Sequence, residues 1–324
     1  MRMSKVCLTT YVYGDKYQDY IPFLVYSCNV AYPDYDLVLF IHGKLREEIR
    51  TQIALIGKQN LILKENAYDD CPKMSSLKAR CMRWVLFDDR FLQYDYLYIV
   101  DIDIIYIREP MPLHVQHEFH MKQTGLPYDN MVRHFIRKPL KLITLARRIK
   151  YAGLVSFGDY LVGSRDDYRI TGLHFVNVKK YFALFDSRIR DKYLQMIYDG
   201  SFVKLSLSAN DEAIFYEMLF REGLHPERLA VQTNSYTMLD FNNPERKEFR
   251  PHHGIHLGIF RQDLSTDSKQ KEVLDSEVYM YYSAAFKEMY AKDPVFWSLL
   301  EMSSEGIQKQ FDNLFRYYGI QKNI

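Results

Sequence analysis

No apolar run in this chain approaches the roughly 18 to 20 residues needed to span a bilayer. There is also no Cys-x-x-Cys pair, internal repeat or low-complexity linker. An excess of one charge is missing too, with 43 Lys and Arg against 41 Asp and Glu and a net charge of +2. A protein gripping nucleic acid through many phosphate contacts would carry a large basic excess, so that class is set aside and any basic surface must be local. The four cysteines, Cys7, Cys28, Cys71 and Cys81, lie scattered in apolar surroundings, where reduced, packed thiols are expected. The opening "MRMSKVCLTTYV" enters a strand-like run without a signal-peptide core or cleavage site, so a cytoplasmic location is expected.

What the 324 residues do contain is alternation. Strand signals at 5–12, 35–42 and 60–64 are interleaved with helix signals at 20–32, 44–56 and 74–88, the βα rhythm of a mostly parallel sheet flanked by helices. The helix at 44–56 shows an apolar face of Leu45, Ile49, Ile53, Leu55 and Ile56. A strand at 171–178, two helical stretches beyond it and a short strand at 254–260 complete this α/β part, with Ser208 or Asn210 placed to cap the second helix. From about 265 onward the pattern is two or three amphipathic helices broken near Pro294. The expected domains are therefore an α/β unit over 1–262 and a helical C-terminal extension over 263–324.

Within "YLYIVDIDIIYIRE" (96–109) two carboxylates interrupt a run otherwise suited to a strand buried on both faces. Asp101 and Asp103 would share one face, about 7 Å apart by the strand rise, at the carboxyl end where α/β sheets bind ligands. An unpaired buried carboxylate is costly, so a cation is expected there, and an oxygen-loving divalent metal fits. Two chemistries use such a pair. In one, a phosphohydrolase of haloacid-dehalogenase type, the first Asp attacks phosphorus, and "GDYLVGSRDD" (158–167) offers a superficial second motif. The other binds a nucleotide-sugar diphosphate through the metal. A bare pair at a strand end also has a plain reading as turn residues.

The surrounding motifs resemble those of the GT-A fold glycosyltransferases, most closely the family 8 type. "DYLYIVDIDIIYIRE" is similar to that family's strand ending in the DxD metal motif, and "KARCMRWVLFDD" to the helix whose Arg reaches the donor nucleotide, which Arg83 matches best and Arg80 one turn earlier. "RITGLHFVNVKKYF" resembles the glycine signature, putting Gly172 on its glycine. "ANDEAIFYEML" and "GIHLGIFR" resemble the later acidic helix start and His/Gly segment. Ile170 and Thr171 replace the family's Asn-Ala, Glu212 its Gln, and Arg261 its Lys.

The resemblance implies a GT-A fold and a metal-dependent transfer of a hexosyl group, galactosyl or glucosyl in type, from a UDP-sugar to a glycan or lipid-linked acceptor. Cell-surface polysaccharide or lipopolysaccharide synthesis is the implied setting. Mn²⁺ or Mg²⁺ would sit on Asp101, Asp103 and His256, with His253 behind. Thr9, Thr10 and Tyr11 would hold the base, and Arg80, Arg83, Asp101, Gly172 and Arg261 the rest of the donor. Glu212 would stabilise the sugar cation in a retaining reaction, which is favoured, whereas Asp211 would be the base in an inverting one, for example galactofuranosyl transfer. Capping a helix start explains both acids without catalysis. A binding module on an inactive transferase scaffold is the non-enzyme alternative.

Two further stretches stand out. Residues 131–155 carry Arg133, Arg137, Lys138, Lys141, Arg147, Arg148 and Lys150 and no acid. That charge is either a solvated helix face or a surface for an anionic acceptor or for the inner face of the plasma membrane. His114, His117 and His120 in "HVQHEFH" cannot all face one ion at helical spacing and are expected to face solvent.

Overall fold

All seven residues of the strand Val6–Val12 (β1) are buried, as they must be when helices cover both faces of a sheet. The computed structural model describes residues 4–136, 166–206, 210–232, 253–261, 271 and 273–321. In it β1 lies inside a six-stranded sheet with Asp36–Ile41 (β2), Leu61–Lys64 (β3), Tyr96–Ile99 (β4), Tyr128–Asp129 (β6) and His174–Asn177 (β9). The strand order is β3-β2-β1-β4-β9-β6. Pairing is parallel from β3 to β4, and β9 runs antiparallel to both β4 and β6. This is the expected α/β class with a mostly parallel central sheet.

The run 96–109 is two strands, not one. After Ile99 the chain leaves the main sheet, turns through Asp101 to Asp103, and re-enters as Ile104–Tyr106 (β5), which pairs antiparallel with Gly254–His256 (β11) in a separate two-stranded sheet. Apolar character could not reveal that break, because both halves are buried. The strand expected at 254–260 accordingly does not close the main sheet: it stops at His256 and continues as a 3₁₀ turn over Leu257–Arg261.

A third sheet, in the order β10-β7-β8, joins Ala230–Gln232 (β10), Met131–Ile136 (β7) and Asp166–Ile170 (β8). The start of the basic segment is thus a strand rather than a helix face.

The helices in chain order are Asp15–Gln18 (α1), Ile21–Ala31 (α2), Glu47–Ile56 (α3), Ser76–Met82 (α4), Leu113–Thr124 (α5), Val178–Leu184 (α6), Ser187–Asp199 (α7) and Asp211–Arg221 (α8). The helix read at 74–88 is shorter than expected, passing into a 3₁₀ turn at Arg83–Val85. On α3 the buried face holds Ile49 and Gln52, while Leu55 is 51% exposed.

Glu277–Met289 (α9), Pro294–Glu301 (α10) and Glu305–Tyr318 (α11) form the C-terminal helices. Pro294 opens α10, where its missing N–H costs nothing, and Asp293 caps that helix. These three helices share one apolar core with α2 and one face of the sheet, through Phe23, Tyr26, Phe286, Phe296 and Phe311. The other face packs on α4, α7 and α8.

Phe286 is fully buried and its ring lies 5.2 to 6.5 Å from those of Tyr290, Phe296, Phe311 and Phe315. Phe286→Ala should cost about 3–5 kcal/mol, read as a lower urea midpoint. A loss of only a few tenths would mean that the C-terminal helices do not depend on this core.

Candidate active site

Ser75 accepts the N–H of Lys78 at 3.3 Å and starts α4, whose last turn carries Arg80. The following 3₁₀ turn directs Arg83 inward, with its guanidinium 4.1 Å from the ring centre of Trp84. Asn210 starts α8 in the same way, accepting from the N–H groups of Glu212 (2.9 Å) and Ala213 (3.3 Å). Of the two caps expected there, Asn210 is the one used, and Ser208 lies outside the described residues.

The end of α4 and the start of α8 meet the turn after β4. Arg83 bridges the two elements, bonding Asp101 through one nitrogen and Asp211 at 2.8 Å through another. Arg80 reaches the second Asp211 oxygen at 3.2 Å. On the far side, Asp103 is held by His256 Nε2 at 3.1 Å and by Arg261 at 2.6 Å, and Arg261 also donates to the Tyr20 hydroxyl at 3.1 Å. Burial would raise the Asp103 carboxyl, but His256 and Arg261 outweigh it and hold the pKa at about 2. His256 is itself raised, because Asp103 and Asp101 outweigh its desolvation. Glu212 pairs with Arg133, yet its carboxyl is raised, chiefly by burial.

Asp101, Asp103, Asp211, Glu212, Arg80, Arg83, His256 and Arg261 all line one cavity of ≈ 290 Å³, together with Thr10, Tyr11, Tyr13 and Tyr17. The sequence-derived set is therefore brought together with two differences. Thr9 is fully buried and its hydroxyl donates to the Val38 carbonyl at 2.9 Å, away from the cavity. Gly172 is not part of the lining, but a Cβ there would overlap the Asp101 carboxylate. Its role in this structure is to make room for that side chain.

Gly258 acts likewise and was not among the expected residues. A Cβ there would fall 2.8 Å from Asp103 Oδ2 and 2.9 Å from His256 Nε2. Arg133 was expected on the basic surface and instead serves Glu212. Arg137, Lys138, Lys141, Arg147, Arg148 and Lys150 lie outside the described residues, as does most of "GDYLVGSRDD". Among the described residues no helix is long and apolar enough to cross a membrane.

The cation sought for Asp101 and Asp103 is thus Arg83 for the first and Arg261 with His256 for the second. Among the described residues no three His, Cys, Asp or Glu side chains converge as a ready metal cage. The donor types nevertheless fit a borderline divalent ion, with two carboxylates and one imidazole on one cavity. Asp103 and His256 already lie 3.1 Å apart there, and the missing side chains of Gly172 and Gly258 are what let Asp101, Asp103 and His256 take these positions.

The histidine triplet corrects a second expectation. His117 and His120 do not face solvent: both are 3% exposed. Their Nδ1 atoms lie 2.9 and 2.8 Å from the same Asp129 oxygen. His117 Nε2 lies 3.0 Å from His253 Nε2, and His253 Nδ1 lies 3.4 Å from Glu109. His253 stands just before β11, and its carbonyl accepts from Ile107 N–H at 2.8 Å. This chain of buried polar groups joins α5, β6 and the β5/β11 pair, which carries His256 to Asp103. Helical spacing alone could not find it, since the partners come from distant segments.

Comparison with protein-family models finds no match, and comparison with curated proteins finds none either. Among solved structures the chain is similar to core-mannan synthase A of Aspergillus fumigatus in its Mn/GDP form, at 12% identity and a TM-score of 0.42, over 71% of this chain and 73% of that one. It is similar to the galactosyltransferase LgtC in complex with donor and acceptor sugar analogues, at 12% identity and a TM-score of 0.41, over 91% and 99%. A third likeness is to the glycosyltransferase GlyE of Streptococcus pneumoniae TIGR4, at 12% identity and 0.38, over 71% and 45%.

Burial lowers the His117 pKa to about 4 despite the Asp129 carboxylate, and that of His174, fully buried beside Trp84, to about 3. Both rings stay neutral in the fold while the unfolded chain protonates near pH 6.5. The unfolded state therefore binds more protons in that window, and stability falls as pH drops from about 6.5 toward 4. The melting temperature should decline on the order of 5 °C across it. A flat profile would show that the fold does not hold these rings neutral.

Proposed function

We propose that this cavity is the donor site of a metal-dependent glycosyltransferase that moves a hexosyl group from a nucleotide-diphosphate sugar, a UDP-hexose in the first instance, to a glycan or glycolipid acceptor. Cell-surface polysaccharide or lipopolysaccharide synthesis is the matching setting. The observation that carries the reading is the charge pattern: four carboxylates, three guanidinium groups and one imidazole on a single cavity, flanked by tyrosines. A diphosphate cannot enter beside that many carboxylates on arginine charge alone, but it can in company with a divalent cation. Asp101, Asp103 and His256 would hold the ion, Mn²⁺ or Mg²⁺, which when bound neutralises charge on the departing diphosphate.

The other roles belong to the chain. Arg80 and Arg261 are the more exposed guanidinium groups, with side chains 50% and 33% accessible, and are the ones able to turn to phosphate oxygens. Thr10, Tyr11 and Tyr13 offer one ring-lined end for a planar base. Asp211 is 2% exposed with both oxygens held by arginines, which disfavours it as the free general base of an inverting reaction. Glu212, with a single arginine partner, is the better group to face the anomeric carbon in a retaining one. The phosphohydrolase reading has less support, because no lysine is among the described residues that line the cavity.

A panel of UDP- and GDP-sugars, with and without Mn²⁺, should give nucleotide release and a metal-dependent rise in melting temperature with at least one donor. Asp103→Asn and His256→Ala should abolish the metal-dependent rise, and Asp103→Asn should slow release about 100-fold or more. Glu212→Gln should depress turnover while donor binding persists. Phosphate-ester hydrolysis without response to any nucleotide sugar would overturn the proposal.

A further inference from the structure

Tyr20, between α1 and α2, is 1% exposed and stands behind the cavity lining, one hydrogen bond away from it. It precedes α2 without capping that helix through its side chain. Its hydroxyl instead accepts from Arg261 Nε at 3.1 Å and donates to Gln310 Oε1 at 3.0 Å, and Gln310 Nε2 donates to the Gly306 carbonyl at 3.0 Å. Gln310 belongs to α11 and is 5% exposed. Each group in this row has its direction set by the next. The Gly306 carbonyl can only accept, so Gln310 turns its amide nitrogen there and its oxygen to Tyr20. That oxygen takes the single phenolic proton, which leaves a lone pair for the Arg261 N–H. One turn further along α11, Asn313 Nδ2 donates to the Phe260 carbonyl at 2.9 Å, so the same helix also holds the backbone beside Arg261.

We infer that Tyr20 is a positioning residue for the donor diphosphate. Held by Gln310 of the C-terminal extension, it fixes the Nε edge of Arg261, so that the far end of the guanidinium group can turn from Asp103 to a phosphate oxygen. The inference rests on the transferase reading above. A planar guanidinium fork recognises phosphate by its aim as well as its charge, and a long side chain must be held to keep that aim. In Arg261 the two ends of the fork have different partners, Tyr20 on Nε and Asp103 at 2.6 Å on Nη2. Asp103 keeps His256 when Nη2 leaves, whereas leaving Tyr20 would strand a buried phenolic oxygen. The Nη end is therefore the one that moves. The guanidinium carbon also lies 5.5 Å from the ring centre of Tyr20 and 5.9 Å from that of Tyr17, a ring on the cavity. A lysine ammonium is a single point of charge with no second edge to clamp, so the device depends on arginine at position 261.

Binding of UDP and of GDP, with and without Mn²⁺, should be measured by titration calorimetry on the full chain, with melting temperatures confirming that each variant is folded. The set is wild type, Tyr20→Phe, Gln310→Leu, Arg261→Lys, the double variant Tyr20→Phe with Arg261→Lys, and a control. The control, Tyr317→Phe, loses a hydroxyl that donates to Asp275 elsewhere on α11. Tyr20→Phe should weaken the nucleotide that binds about fivefold to tenfold, with Gln310→Leu moving in the same direction and Tyr317→Phe matching wild type. With a donor that turns over, Tyr20→Phe should raise KM and leave kcat within about twofold, as expected when an interaction common to ground and transition states is lost. In the Arg261→Lys background the Tyr20→Phe change should add nothing, because the group it acts through is gone. Wild-type affinity in Tyr20→Phe, or an equal loss in both backgrounds, overturns the inference and leaves the donor site standing. Failure of wild type to bind either nucleotide overturns the transferase reading and the inference with it.

Discussion

A single buried guanidinium group organises the centre of this molecule. Arg83, 8% exposed and stacked on Trp84, joins Asp101 at the end of β4 to Asp211 at the start of α8. Removing one partner of such a buried pair costs about 3–5 kcal/mol, mostly because a desolvated charge is left alone. The two carboxylates therefore fix where the helix start stands relative to the strand end. Gly172, coming from the neighbouring strand connection, admits Asp101 only because it has no side chain.

The other half of the cavity is placed by a different kind of interaction. His256 reaches Asp103 because β11 pairs with β5 in register, His256 opposite Ile104. That pairing is continued by the His253 carbonyl on Ile107, while the His253 ring is clasped between His117 and Glu109. A polar network buried to this degree is costly when partly satisfied and rigid when complete. His117 and His120 thus support the site from behind, through Asp129 and His253, and neither lines the cavity.

How much of this was legible in the sequence follows from which interactions are local. Periodicity found the alternating strands and helices, the Asn210 cap and the Pro294 break, because each depends on residues within a turn or two. The DxD turn, the late histidine and the acidic helix start were visible as motifs, and they do line one cavity. What could not be read is whatever depends on a partner elsewhere in the chain. The strand break at Val100 hides inside a run that is apolar on both sides of it. Arg133 looked like one of seven basic residues until Glu212, 79 positions away, claimed it. Thr9 sat at the right end of β1, but its hydroxyl turns to Val38 in the next strand.

The pairing scheme also divides the arginines by duty. Arg83 and Arg133, with side chains 9% and 23% accessible, are committed to Asp101, Asp211 and Glu212. Moving either would strand a carboxylate of low exposure. Arg80 and Arg261 are more accessible, and each carboxylate they touch has a second cationic partner: Arg83 for Asp211, and His256 for Asp103. They can therefore exchange a carboxylate for a phosphate at lower cost than the buried pair, since solvent and the second partner cover the loss. In the proposed reaction the geometry of the cavity would rest on the first two arginines, and the binding of the donor on the second two.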